Sequence, residues 1–331
     1  TGHISILKFL DISELSMTSD LMSTQYCFFP PFKINLVSRD GWIGRNRPDR
    51  TCDHLVWFAD VSHIGNRSGA GIYGLSPRTF SSISLGKYCT VFQAEVFAIL
   101  NCAQKGLEKG YHGKQILILT DSQSALKALS SYQVKSKLVW DCLNSLIALS
   151  SCNSLELRWV PGHQGIQGNE KADQLAKKGA ETSFIGPEPV VGVSIRTAKT
   201  TVKTWIKDRH QSRWKTYPGQ KLARKLVLGP NSSLSRSLLK LGKVGIRRAV
   251  ALITEHGHFR KHLHRVGIYK DDPICRMCKQ EEETASHILF DCPFLERKRF
   301  ALFTTREELE GDTDIGTKIL QLVKGTDFGR W

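Results

Sequence analysis

The chain has 331 residues, 40% apolar and 24% charged, with 47 Lys+Arg against 31 Asp+Glu for a net charge of +16. That composition is globular and excludes fibrous and low-complexity classes, and no apolar run approaches the roughly 18 residues a membrane span needs. The excess of cations predicts a polyanionic partner, nucleic acid first and an acidic membrane surface second. It is concentrated: residues 181–270 carry 19 basic and 4 acidic residues, whereas residues 51–180 carry 13 and 9. Ile4–Leu10 is apolar but short, and Asp11 and Glu14 follow it, so no secretory signal is expected. An intracellular protein, in nucleus or cytoplasm, follows as the expectation. Its nine cysteines are then expected as reduced thiols or metal ligands rather than as a disulfide framework. The start at Thr1 suggests a piece of something longer.

In chain order, residues 1–51 lack clear periodicity, and Pro30-Pro31 and the Arg45–Arg50 run read as irregular chain. From Leu55 the pattern sharpens. Leu55–Ala59 reads as a buried strand ending at Asp60, and Gly69–Tyr73 and Ser81–Leu85 as two more in an antiparallel meander. Val91–Lys109 has helical spacing, with Ala94, Phe97, Ala98, Leu100 and Leu107 on an apolar face. Gln115–Thr120 is an Ile/Leu-rich strand, followed by a short helix that Ser122 can cap. A helix over Ser136–Leu149, a strand over Leu155–Val160 closed by Pro161-Gly162, and a helix over Gly168–Lys178 complete an α/β order. Gly186-Pro187-Glu188-Pro189 marks a boundary. Beyond it residues 195–265 read as mostly helical, and residues 271–331 hold a cysteine cluster and a tail.

Carboxylates stand at the ends of these elements: Asp60 and Asp121 after strands, Glu95 and Asp173 on helices. Functional groups of open α/β sheets gather beyond the carboxyl ends of adjacent strands. Clustered carboxylates repel, and hard oxygen ligands select Mg²⁺ or Mn²⁺. Two such ions about 4 Å apart can activate a water and stabilise the leaving oxygen of a phosphodiester.

The blocks Phe58-Ala59-Asp60, Gln93-Ala94-Glu95, Thr120-Asp121-Ser122-Gln123-Ser124-Ala125-Leu126, Trp159-Val160-Pro161-Gly162-His163 and Gly168-Asn169-Glu170-Lys171-Ala172-Asp173 resemble the ribonuclease H family over residues 52–180. Their wording is closest to the ribonuclease H segment of insect-type non-LTR retrotransposon polyproteins. The resemblance implies a five-stranded mixed sheet flanked by helices and cleavage of the RNA strand of RNA–DNA hybrids. It also implies Asp60, Glu95, Asp121 and Asp173 as ligands of two Mg²⁺ (or Mn²⁺) ions, with a reverse transcriptase upstream in the same polyprotein. His163, in a glycine-flanked loop, is expected to shuttle protons. Ser122 and Gln123 are the expected substrate-binding residues, the amide reaching the hybrid's minor groove, where 2′-hydroxyls distinguish RNA. The family usually has Gly after the first Asp. Val61 stands there instead, and a backbone needing positive φ would be strained by it. Val91-Phe92 stand where cellular relatives often have Asn or Gln.

Cys275, Cys278, His287 and Cys292 form C-x2-C-x8-H-x4-C, a ligand set suited to tetrahedral structural Zn²⁺. Thr284–Phe290 is expected as a short helix presenting His287. The unit is similar to the Cys/His knuckle that often ends such polyproteins. The remaining cysteines read mostly as small core residues, and His256, His258, His262 and His264 as part of a basic helical face. Trp205 and Trp214 are expected to pack in a helical core while Lys203, Lys207, Arg209, Arg213 and Lys215 face phosphates. The expected organisation is thus an irregular 1–51, a ribonuclease H domain at 52–180, a basic helical 181–270, and a zinc-knuckle region at 271–331. The expected activity is a metal-dependent hybrid endonuclease. A decayed nucleic-acid-binding module and an integrase-like polynucleotidyl transferase of the same fold are the alternatives.

Overall fold

The computed structural model describes residues 17–36 and 54–330. Ile4–Leu10, the Arg45–Arg50 run and Cys52 lie outside the described residues. The chain forms two compact units, one up to Val202 and one from Lys203 on.

The first unit is built on a six-stranded mixed sheet in the order β2-β8-β6-β3-β4-β5. Its strands are β2 (Lys33–Asn35), β3 (His54–Ile64), β4 (Arg67–Ser76), β5 (Arg78–Ser84), β6 (Gln115–Thr120) and β8 (Ser154–Trp159). β2, β8, β6 and β3 run parallel, and β3, β4 and β5 form the expected antiparallel meander. Five strands match the expectation; the sixth, β2, comes from the stretch expected to be irregular. That stretch also supplies β1 (Leu21–Tyr26), which pairs antiparallel with the short β7 (Gln133–Ser136) as a separate ribbon.

Alternation along β3 splits the core. Leu55, Trp57 and Ala59 pack on one face with α1 (Val91–Glu108), α2 (Gln123–Leu129) and α3 (Lys137–Ser150). Val56 and Phe58 pack on the other, with Tyr73, Leu119 and Ala172 of α4 (Gln167–Glu181). Small residues let α4 lie almost on the sheet: a Cβ on Gly71 would sit 2.0 Å from the Ala172 carbonyl oxygen. Val191 also packs in this unit's core, and Gln93 Nε2 donates to the Gly192 carbonyl at 2.7 Å. The first unit therefore runs past the Gly186–Pro189 boundary signal.

α5 (Ile195–Thr216) carries the boundary between units and has no buried residue. The second unit continues with α6 (Lys221–Leu226), α7 (Ser232–Lys240), α8 (Gly242–Thr254), α9 (Arg260–Arg265), α10 (Glu296–Leu302) and α11 (Ile315–Val323). Its core joins Leu222, Leu252, Phe259 and Ile319 to Cys275, Ile288, Leu289 and Cys292. The cysteine cluster is thus part of a larger helical core that also takes in residues of the expected basic helical segment. Trp214 packs against that core as expected, its indole donating to the Val227 carbonyl at 2.6 Å, while Trp205 is half-buried beneath Arg209.

Candidate active site and metal centre

The expected end of the first strand at Asp60 is corrected by the structure, because β3 continues to Ile64. Only its pairing with β6 stops there, at Ala59 opposite Thr120. Asp60 and Asp121 come next in each chain. Across the sheet Asp60 faces Gly71. The Trp159 indole donates to the Asp121 carbonyl at 2.9 Å, and the Val160 amide donates to the Thr120 carbonyl at 2.9 Å. The Trp-Val-Pro-Gly-His block thereby fixes the turn that carries Asp121. Gly162 is pressed against the carboxylate: a Cβ there would lie 2.5 Å from Asp121 Oδ2.

Helices bring the other acids. Thr90 and Gln93 form a capping box at the start of α1, which sets its first turn and with it Glu95. The close seat of α4 brings Asn169 to Asp60, where its Nδ2 donates to Oδ2 at 3.2 Å. Asp173 lies one turn further along α4 and is paired with Lys177 at 2.5 Å. Sequence reasoning missed Asn169 as a site residue, although its i,i+4 spacing from Asp173 was a usable signal.

These carboxylates disturb one another. Burial, then the charge of Asp121, pushes Asp60 up to about 7. Burial, then Asp121 and Asp60, pushes Glu95 up to about 9. Burial also raises Asp121, while His163 pulls it back down. Glu95 Oε2 is buried with no hydrogen-bond partner. Such a set of oxygen donors, repelling and partly orphaned, fits a hard divalent cation.

His163 is exposed, in left-handed backbone at φ 56°. Gln123 is exposed at the first position of α2. Ser122 is the buried N-cap of that helix, its hydroxyl accepting from the Ala125 amide at 3.2 Å. That hydroxyl is therefore engaged in holding the helix beside Asp121. Val61 lies within β3, is absent from the positive-φ residues, and packs against the core, so the missing Gly imposes no backbone strain there.

The second unit holds the other centre. Cys275 Sγ, Cys278 Sγ, Cys292 Sγ and a His287 ring nitrogen lie within 4.8 Å of one another. Among the described residues this is the one group drawn together so tightly; the four carboxylates of the first unit are not. Cys278 Sγ is 3.3 Å from His287 Nε2, and Cys275 Sγ is 4.0 Å from Cys292 Sγ. His287 Nδ1 meets Glu281 Oε2 at 3.1 Å, which orients the ring with Nε2 toward the thiols. His287 sits on the expected short helix, which here is a single π-helical turn, His287–Asp291. Glu283 is buried and chelated by Arg276, which donates through Nε at 2.8 Å and Nη2 at 2.6 Å. The eight described cysteines form no disulfide; Cys89, Cys102 and Cys142 are buried, whereas Cys27 is half-buried and Cys152 exposed. Among the described residues no helix is long and apolar enough to cross a membrane.

The RNase H family profile matches residues 53–181. The chain is 37% identical over 149 residues to the ribonuclease H of Polaromonas naphthalenivorans, covering 40% of this chain and 89% of that protein. It is 24% identical over 219 residues to the retrovirus-related Pol polyprotein from type-1 retrotransposable element R1 of Popillia japonica, covering 63% of this chain and 78% of that one. To the ribonuclease H of Herminiimonas arsenicoxydans it is 34% identical over 83 residues, or 20% and 55% of the two chains.

Proposed function

The chain belongs to the ribonuclease H family, and from that premise we propose that it is a retrotransposon-derived, metal-dependent endonuclease cutting the RNA strand of RNA–DNA hybrids. The observation that carries this reading is the electrostatic stress on Asp60 and Glu95, both raised by burial and by the charge of Asp121, with Glu95 Oε2 left unpartnered. Asp60, Glu95, Asp121 and Asp173 would hold Mg²⁺ or Mn²⁺. When bound, such ions supply an activated water and stabilise the departing oxygen.

The chain's own residues do the rest. Asn169 orients the Asp60 carboxylate, and Trp159 holds the Asp121 turn. His163, near enough to Asp121 to lower its pKa, is placed on an exposed turn from which its ring can pass a proton to the leaving group. Exposed Gln123 reads the minor groove, and the bare basic surface of α5 contacts phosphates. Cys275, Cys278, His287 and Cys292 hold a structural Zn²⁺, since all four positions are protein groups and none is left for a water. The similarity to a Pol polyprotein supports a reverse transcriptase in the same polyprotein as the source of hybrid.

The test is incubation of the protein with labelled RNA–DNA hybrid and Mg²⁺, beside RNA and DNA duplexes. Cleavage confined to the RNA of the hybrid is expected. Binding without cleavage would leave a holding module, and strand joining would favour a transferase.

A further inference from the structure

We propose that the β1–β7 ribbon carries a stacking platform for the unpaired bases of single-stranded nucleic acid. Tyr26 and Phe28 stack with ring centroids 6.0 Å apart and planes within 6°, and Phe28 and Tyr132 with centroids 6.0 Å apart and planes within 9°. The three rings form one nearly parallel ladder at the end of the ribbon, where β1 ends at Tyr26 and β7 begins at Gln133, and the Cys27 amide donates to the Tyr132 carbonyl there at 3.0 Å. They are open to solvent: Tyr26 is 55% exposed, Phe28 64%, Tyr132 60%, and neighbouring Phe29 94%. Val134 and Phe32, close by in the chain, are buried in the core of the first unit, so the exposed ladder is distinct from core material.

Charge selects the occupant. Lys127, Lys135 and Lys137 are exposed on or beside α2 and β7, and the acid at the start of the ribbon, Asp20, is buried with its carboxylate accepting from the Ser136 hydroxyl and the Leu138 amide. An apolar protein partner has no need of those exposed cations. A polyanion that also presents flat π-faces does, and unpaired bases provide both. An intact duplex hides those faces in its own stack.

Position gives the platform a use. α2 starts two residues after Asp121 and ends three residues before Tyr132. Its length is about 10 Å, or roughly three base steps of a stacked strand. A strand leaving the hybrid beside the acid cluster would reach the rings. Tyr26, Phe28 and Phe29 lie outside residues 53–181, so the segment in front of the family domain adds its rings to Tyr132, which lies inside it. Its existence does not rest on the hydrolytic reading; only its use beside a cut hybrid does.

The experiment is fluorescence anisotropy of the full chain with labelled oligothymidylate of about fifteen nucleotides and with a hybrid of equal length. Tyr26→Ala/Phe28→Ala/Tyr132→Ala is expected to weaken oligothymidylate binding roughly 10- to 100-fold. The slope of log K against log salt should not change, because no phosphate contact is lost. Hybrid affinity should stay within about threefold of the parent, since a duplex offers no free base faces. Tyr132→Phe should bind like the parent, and Phe28→Trp should show indole quenching on adding the oligonucleotide. Lys127→Ala/Lys135→Ala should instead flatten the slope, by about 0.7 per lost contact. Three results would overturn the proposal: unchanged oligothymidylate affinity in the triple variant, equal losses for hybrid and single strand, or a parental dimer that the triple variant dissolves. Failure of hybrid cleavage would overturn the nuclease reading and leave the platform standing.

Discussion

Asp60 and Asp121 each come one residue after the last matched pair of two parallel strands, Ala59 opposite Thr120, so both acids stand where the pairing of β3 with β6 ends. Burial raises both, and the charge of Asp121 adds to the cost of ionising Asp60. Asp121→Asn keeps the size of the side chain and removes the charge. It should abolish hybrid cleavage, by at least about a thousandfold, while hybrid affinity without metal changes little. Single-turnover cleavage and anisotropy on one preparation measure both. Near-parental turnover would remove a metal-assisted mechanism that uses Asp121.

Gly162→Ala tests the same carboxylate from outside. The new methyl would lie 2.5 Å from Asp121 Oδ2, so Asp121 must rotate away. A fall in cleavage of about ten- to a hundredfold is expected, with the thermal transition little changed. Asn169→Ala should do likewise through Asp60, and should raise the Mg²⁺ concentration needed for half-maximal rate. Unaltered rate and Mg²⁺ dependence in both variants would place the working site elsewhere.

Much of this site was legible in the sequence because its residues follow strong local patterns: apolar runs that lead up to Asp60 and Asp121, and the helical spacing that carries Glu95. What stayed hidden depends on partners far along the chain. β2 has three residues, too few to show a period, and exists by pairing with β8. Val191 and Val193 follow a Pro/Gly break that reads as a boundary, yet both are buried, and Val193 is bonded to Asp20, with its carbonyl accepting from the Asp20 amide at 3.0 Å. Glu283 sits in a run of three acids that reads as solvated, but Arg276 makes its burial tolerable. Ser122 reads in the sequence both as a helix cap and, through the family block, as a substrate-binding residue, and its hydroxyl is engaged in the cap, accepting from the Ala125 amide at 3.2 Å.

The raised carboxylates make stability depend on pH in a defined direction. Asp60 rises from 3.8 to about 7, and Glu95 from 4.5 to about 9. Between those limits the folded chain holds protons that the unfolded chain has released. Stability is therefore greatest below about pH 4 as far as these two groups are concerned, and falls as pH rises through about 7 and then about 9. Without divalent metal, Tm of the first unit should be lower near pH 8.5 than near pH 5.5, and Mg²⁺ should recover part of the difference. Glu95→Gln should raise the alkaline Tm and abolish cleavage together. Calorimetry on parent and variant decides it: equal alkaline Tm values would mean that Glu95 carries no such stress.

The second unit should hold one tightly bound Zn²⁺ per chain. Cys275 and Cys292 are buried in the same core as Leu289, Leu295 and Phe259, and Cys278 and His287 close the set. Burial would raise the Cys278 thiol, but amide donors of Gln280 and Glu281 and the His287 ring outweigh it and bring it down to about 7, so one thiolate is available near neutral pH. Structural zinc sites release on the order of 10 kcal/mol when their ligands close on the metal. Because the cluster is embedded rather than appended, a chelator should melt the helical unit as a whole and not only residues 275–292. The transition belonging to the separate core of the first unit should persist. Cys275→Ser/Cys278→Ser should lose the zinc and lower the Tm of the second unit by more than about 10 °C. Metal analysis after dialysis, run beside calorimetry with and without chelator, is the measurement. Zinc-free parental protein with an intact helical transition would show that these thiols pack as ordinary core cysteines.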